Sequence, residues 1–421
     1  MFSLFSSFLY LFQLVNNWPR AIIFLWDESV SSFLLFPLLN DLIQTLFRMS
    51  ELSVVATRPP FNESLFANSL EDIREAYGRV LLSVCDNPSV NGDYNVTWTA
   101  SLYSHTVKEW STSECSSSFI APHQGEFTFS VQVDSLEGRS FGKSSIIVRD
   151  IWIAAVGDSF ASGEGNPDIE RGLNNSAEWI SSPCHRSRKS WPYRIYEAVR
   201  RQHPQSAVHF SYLACTGATV ESGVLGPRGK SQMDVLKEIA RERGMGPDVL
   251  MLSVGGNDVG YAEILERLQR GETESILPFL DWRFYYVSSQ LTALKEAMQR
   301  LEPSQVLVPL YFDFSRNERG EIDASCADMH NIRTADIAMA ERRVLSRLNS
   351  LILKTGKEAG WTVEERVPGV FSRGGICSKH RLIRSISDSI SIQGDPLGAF
   401  HPTEIAHSQI ADLFIARLRP I

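Results

Sequence analysis

The sequence predicts an α/β chain: a parallel sheet, covered by helices on both faces, fills the last two thirds behind a small β-sandwich. Three observations predict it. From Ile151 onward, short apolar runs alternate with helical patterns, as βα units do. Between about Val80 and Asp150 the pattern is instead apolar–polar alternation punctuated by turn residues. Finally, chemistry-bearing residues gather at the carboxyl ends of the apolar runs, where open α/β sheets keep their sites.

Composition sets the outer bounds. The chain has 421 residues, of which 43% are hydrophobic and 21% charged, enough to build a large core and too apolar for global disorder. The net charge of −8 argues against a general nucleic-acid-binding surface. The length allows two or three domains.

Residues 1–48 differ from the rest. Met1–Val15 is an apolar run without charge, close to the length of a signal-peptide core and short of the ~20 residues a spanning helix needs. No basic residues precede it and no clean small-x-small cleavage site follows. A second apolar run, Ser31–Phe47, is broken by Pro37, Asn40 and Asp41. Three readings stand: a signal peptide or signal anchor, a membrane-associated hairpin, or an upstream gene-model extension ahead of a start at Met49. Asn62, Asn95 and Asn174 head glycosylation sequons, a weak sign of export.

Residues 49–79 read as a linker around Pro59-Pro60. In residues 80–150, Tyr94–Leu102 and Phe127–Val133 alternate as half-buried strands do, and Ser145–Val148 continues the pattern. Asn91-Gly92 and Glu137-Gly138 mark turns. A small immunoglobulin-like or PKD-like sandwich is expected, with Cys85 and Cys115 within bridging reach. It is a structural spacer or a surface- or carbohydrate-binding module.

From residue 151 the elements follow in order. Strands are expected at Ile151–Val156, Ala207–Ala214, Asp248–Val254, Gln305–Phe312 and Trp361–Glu364. Helices are expected at Trp191–Arg201, Ser231–Arg243 (capped by Ser231), Val287–Leu301, Thr334–Gly356 and Pro402–Leu418. Four loops at strand ends or before the last helix are unusual. They are Gly157-Asp158-Ser159, Cys215-Thr216-Gly217, Gly255-Gly256-Asn257-Asp258 and Phe400-His401-Pro402. A parallel sheet can converge them at one edge. Together they supply a Ser nucleophile, a His base, and Gly and Asn donors for an oxyanion, the set that ester hydrolysis needs.

With these blocks in this order, the chain resembles the SGNH, or GDSL, hydrolase superfamily from Ile151 to about Arg419. The motifs Gly157–Gly165 (GDSFASGEG) and Cys184–Ser187 (CHRS) resemble its SEST-like branch of secreted esterases and lipases. The resemblance implies a flavodoxin-like three-layer α/β/α domain over residues 151–421 and a serine ester hydrolase. Ser159 matches the nucleophile and His401 the base. The backbone amides of Ser159 and Gly217 and the Asn257 side chain match the oxyanion hole. Many members carry Asp three residues before the His. Here that residue is Gly398, so a Ser-His dyad is implied, oriented by the Gly398 carbonyl, with Asp395 as the rival orienter. The resemblance also implies disulfides that brace active-site loops: Cys184–Cys215 and Cys326–Cys377, beside Cys85–Cys115. The alternative is six thiols in a reducing compartment.

No cofactor or metal is expected, since no Cys pair has C-x-x-C spacing. His185, His330, His380 and His407 read as surface or satisfied histidines. Asp158 and Asp258 read as loop supports, and Ser162 as loop wall. Glu164 is a candidate for lining the acyl or alcohol pocket, as is the segment around Glu263–Trp282 with Leu277–Leu280 and Tyr285-Tyr286. The substrate is a lipid or short-chain acyl ester, the location secreted or extracytoplasmic, and a membrane or surface association through the N-terminus is compatible. Two alternatives stand: a glycan O-acetylesterase, and a catalytically silent surface or carbohydrate-binding protein on the same scaffold.

Overall fold

The computed structural model describes residues 51–60, 65–69, 78–136, 138–226 and 230–421. The apolar runs of residues 1–48, the Asn62 sequon and Glu137 lie outside the described residues.

The first unit is a two-sheet sandwich. Its strands are β1 (Glu51–Leu52), β2 (Val55–Thr57), β4 (Arg79–Ser83), β5 (Tyr94–Leu102), β6 (His105–Thr112), β7 (Ser116–Ile120), β8 (Gly125–Ser135) and β9 (Gly138–Val148), with β3 (Leu65–Phe66) lying elsewhere. One sheet has the order β1-β9-β8-β5-β6 and the other β2-β4-β7. Alternation decides the inner face: Val96, Trp98 and Ala100 of β5 and Phe127, Phe129, Val131 and Val133 of β8 are all buried. They meet Val80, Leu82 and Phe119 of the other sheet in one core. Cys85–Cys115 is a disulfide here.

The stretch read as a linker is not free of structure. β1 pairs with β9, β2 pairs with β4, and β3 joins the second unit's sheet beside the strand Val208–Tyr212. Strands of two or three residues are too short to show a period, so the sequence pattern does not reveal them.

The second unit is built on a six-stranded, all-parallel sheet. Its remaining strands are β10 (Ile151–Gly157), β11 (Val208–Tyr212), β12 (Val249–Ser253), β13 (Val306–Pro309) and β14 (Thr362–Glu364), in the order β14-β13-β12-β10-β11-β3. β10 lies between β11 and β12, and all of its residues are buried, which explains its unbroken apolar run.

The helices are α1 (Ser159–Ser162), α2 (Trp191–Gln202), α3 (Gln232–Arg243), α4 (Tyr261–Gln269), α5 (Leu277–Leu301), α6 (Thr334–Ala340), α7 (Ser346–Ala359), α8 (Val367–Val370), α9 (Ile386–Gln393) and α10 (Glu404–Ile415). Side-chain caps start several of them: Ser190 before α2, Ser231 before α3 and Thr403 before α10. α5 begins ten residues before the expected start at Val287, because exposed aromatic residues Phe279, Trp282 and Tyr285 blur its amphipathic period. Helix α6 runs into α7 through a π-helical turn, Glu341–Leu345, which turns this helix's apolar side onto the cavity described next.

Candidate active site

Ser159 starts α1 where β10 ends, and the turn is set by Gly157. At φ +129° Gly157 has a backbone that side chains avoid, and a Cβ would lie 2.0 Å from the Ser253 carbonyl of the neighbouring strand. The Gln232 side chain clamps the same residue, accepting from its N–H at 2.7 Å and donating to its carbonyl at 3.0 Å. Asp158 caps α1 by accepting from the Phe160 amide at 3.1 Å. Its carboxylate also accepts from Ser253 Oγ at 2.6 Å and from the Tyr311 hydroxyl at 2.5 Å. Burial pushes the Asp158 carboxyl upward, against those three hydrogen bonds. Asp158 therefore supports the turn. Ser162, fully buried, hydrogen-bonds back to the Ser159 carbonyl at 3.2 Å.

His401 reaches Ser159 from the loop before α10. Its Nε2 lies 2.8 Å from Ser159 Oγ, and its Nδ1 lies 3.0 Å from the Ala399 carbonyl. An Nδ1–H donated to that carbonyl leaves Nε2 free to accept from the serine hydroxyl. The orienting carbonyl thus falls one residue later than expected. The Gly398 carbonyl accepts instead from the backbone N–H of His401, at 3.3 Å. Phe400 adopts φ +62°, and this left-handed residue turns the Ala399 carbonyl toward the ring of His401. Asp395 is engaged elsewhere, accepting from Gln393 Nε2 at 2.7 Å and from the Leu397 amide at 2.8 Å.

The two expected oxyanion donors are on the same wall. Gly217 sits at φ +76° in the loop after β11; a Cβ there would meet nothing, so conformation rather than space favours glycine. The Cys184–Cys215 disulfide and a 3.2 Å bond from the Thr216 amide to the Cys184 carbonyl anchor this loop. Asn257 Nδ2 donates to the Ala218 carbonyl at 2.9 Å, which orients the amide and leaves its second N–H. Asp258 accepts from the Val220 amide at 2.9 Å, tying the two loops together. Burial, with Asp158 nearby, raises the Asp258 carboxyl to about 6.

Ser159, Gly217, Asn257 and His401 all line one cavity of about 520 Å³. Beyond them the wall is mostly apolar. α4 contributes Ile264, Leu265 and Leu268; the 329–348 region contributes Met329, Ile332, Ile337, Val344, Leu345 and Leu348. Two carboxylates on the wall, Asp313 and Glu341, are each held by Arg316 at 2.5 Å.

Several expected wall residues lie elsewhere. Of the segment around Glu263–Trp282, only its α4 part lines the cavity; Leu280 is a buried residue of α5, and Tyr285 and Trp282 are exposed. Glu164 is buried away from the cavity, against His185 and Gln393. His407 is fully buried on α10 and accepts from the Trp191 amide at 3.3 Å; burial holds its ring neutral down to about 3. Sequence reasoning did not single out Tyr311, Gln232 or Ser253. Tyr311 and Ser253 each had a signal, since both sit at the carboxyl end of an expected strand. The third disulfide joins Cys326 and Cys377. Among the described residues no cluster of three or more His, Cys, Asp or Glu could hold a metal ion.

Residues 155–407 match the model of the GDSL-like Lipase/Acylhydrolase family. The chain belongs to that family. It is a carboxylic ester hydrolase. This GDSL acylhydrolase is 24% identical over 282 residues to a lipase of Streptomyces rimosus, covering 65% of this chain and 89% of that one. It is 31% identical over 142 residues to Lipase 1 of Streptomyces coelicolor, covering 32% of this chain and 41% of that one. The solved extracellular lipase of Streptomyces rimosus superposes with a TM-score of 0.47 at 22% identity, over 63% of this chain and 98% of that chain. The phospholipase A1 of Streptomyces albidoflavus gives 0.46 at 20% identity, over 64% of this chain and 99% of that one.

Proposed function

We propose that this acylhydrolase cleaves esters of fatty acids through an acyl-enzyme on Ser159, with His401 as the only general base and no carboxylate on its ring. The observation that carries the reading is the 2.8 Å contact between Ser159 Oγ and His401 Nε2 at the edge of a large apolar cavity.

Ser159 Oγ attacks the ester carbonyl carbon while its proton passes to His401 Nε2. The oxyanion is held by the Ser159 and Gly217 amides and the free N–H of Asn257. The imidazolium then protonates the leaving alkoxide, and the acyl group stays on Ser159. A water gives its proton to His401 and attacks the acyl carbonyl, freeing the acid and restoring the hydroxyl. The apolar wall from α4 and the 329–348 region receives the acyl chain, which favours a fatty-acyl substrate over an acetylated glycan. Three disulfides suit an oxidising compartment, and we infer that the enzyme works outside the cytoplasm.

Ser159→Ala tests the mechanism. Hydrolysis of a nitrophenyl acyl ester should fall by at least about 10³-fold with the fold intact by circular dichroism. Activity near wild type would place the nucleophile elsewhere.

A further inference from the structure

The His401 ring touches no acid, yet a fully buried carboxylate stands behind its loop. Glu164 lies five residues past Ser159, and none of its surface is exposed. His185 Nδ1 lies 2.9 and 2.8 Å from its two oxygens, and Gln393 Nε2 donates to Oε1 at 2.9 Å. The His185 ring is fixed in turn by Trp179, stacked at 4.5 Å and 6°.

The segment carrying Glu164 is built into the histidine loop. A Cβ on Gly165 would lie 3.0 Å from the Gly398 carbonyl, and one on Gly398 would lie 2.8 Å from Gln393 Oε1. Asn166 Nδ2 donates to the Pro402 carbonyl at 2.9 Å. Arg384 donates to the Gly165 carbonyl and to Asn166 Oδ1, each at 3.0 Å, and its backbone N–H donates to the His401 carbonyl at 2.9 Å.

We propose that Glu164 is a positioning residue for the hydrolysis: its buried negative charge, held by His185 and Gln393 behind the 398–402 loop, stabilises the imidazolium that forms on His401. The inference rests on the Ser159–His401 dyad. A carboxylate on Nδ1 ordinarily supplies this stabilisation; here it acts through the low-dielectric interior without contact.

The other charged and titratable groups around His401 are poorer candidates. Asp158, at the end of β10, is pushed toward its neutral form by burial. His407, on α10, stays neutral, and Arg384 brings positive charge. Burial would also push Glu164 up, but the His185 hydrogen bond, the proximity of His401 and His185, and the Gln393 amide outweigh it and hold it at about 2. Glu164 therefore stays ionised through the working range. His185 feels Glu164 and Asp395, and its proton is held more tightly than usual. When protonated it offsets part of the charge that Glu164 presents to His401.

That offset gives a test with two signs. The pH dependence of kcat/KM for a nitrophenyl acyl ester is measured in wild type, Glu164→Gln and His185→Gln, with a covalent serine-hydrolase probe reporting Ser159 in each. Glu164→Gln removes the charge, so the acid limb should move down. Its kcat should drop about tenfold with KM little changed. His185→Gln removes the compensating positive charge while its amide can still donate to Glu164 and keep it ionised, so its acid limb should move up. An unmoved limb in Glu164→Gln, or shifts of the same sign in both variants, overturns the proposal. Should Glu164→Gln not fold, the limb of His185→Gln decides alone, and anything but an upward shift overturns it. Loss of probe labelling at Ser159 in the wild type would instead remove the dyad itself.

Discussion

If the apolar cavity holds the acyl chain, the specificity constant should climb as that chain lengthens. A methylene fills roughly the share of liquid volume that a water does, about 30 Å³. A cavity of about 520 Å³ therefore has room for roughly seventeen such groups, less those taken by the ester itself. Each methylene moved from water onto the wall of Ile264, Leu268, Ile337 and Val344 is worth about 0.8 kcal/mol, or roughly fourfold in kcat/KM when it is held in the transition state. From a butyryl to an octanoyl ester the gain should approach about 3 kcal/mol, on the order of 10² in rate. The assay is a nitrophenyl ester series from acetyl to palmitoyl, kept below micelle-forming concentrations, with kcat/KM read at each length. The profile should rise and then level off when the cavity is full. Val344→Phe, which narrows the wall at the π turn, should bring the plateau to a shorter chain. A flat or falling profile from acetyl onward would refute the assignment of this cavity to the acyl group and favour small acyl groups such as acetate.

Three further outcomes are expected. Asp395→Asn should retain most activity, because that carboxylate serves Gln393 and the Leu397 amide; a loss of several orders of magnitude would make it the histidine's partner. Gly157→Ala should cost about 3 kcal/mol or more in denaturant unfolding, since it combines a glycine-only backbone with a Cβ 2.0 Å from the Ser253 carbonyl; near wild-type stability would mean the strand end is more compliant than its packing implies. Three buried groups should set the pH dependence of stability, with opposing signs. His407 is depressed from 6.5 to about 3 and Glu164 from 4.5 to about 2, so each favours the fold above its unfolded value and loses that contribution as pH drops through its window. Asp258, raised from 3.8 to about 6, acts oppositely, favouring the fold below 3.8 and losing that as pH rises through 6. The His407 and Asp258 contributions nearly cancel between about pH 6 and 4, so the melting temperature should change little there, and His407→Leu should make it rise on acidification across that window; an unchanged profile would show that His407 does not contribute.

The sheet was legible because strands such as β10 and β12 are buried on both faces and read as unbroken apolar runs. The site residues were legible because each begins a helix or lies in the loop that follows a strand or precedes a helix, where composition changes abruptly. What stayed hidden depends on geometry that no period encodes. Ala399 rather than Gly398 faces the histidine because Phe400 takes a left-handed turn, and no residue type announces that. The cavity wall is drawn from α4 and a helix with a π turn, whose apolar residues look the same whether they face a core or a void. Glu164 was noticed for its motif and misplaced, since its partners His185 and Gln393 are 21 and 229 residues away.

The two-residue strand β3 changes how the two units are joined. The chain lays β1 and β2 into the sandwich, crosses to place β3 on the edge of β11, crosses back to build β4–β9, and crosses a third time into β10. Ala67 and Asn68 reinforce that edge through a 2.9 Å bond to the Phe210 carbonyl and a 2.8 Å bond to the Tyr212 amide. The units are therefore stitched rather than strung together. Cutting the gene before residue 151 would strip the hydrolase sheet of a border strand and leave β11 with a bare edge, inviting strand-to-strand aggregation. During synthesis, residues 65–66 must wait for a partner more than 140 positions downstream, so the sandwich can close before the hydrolase sheet has its border.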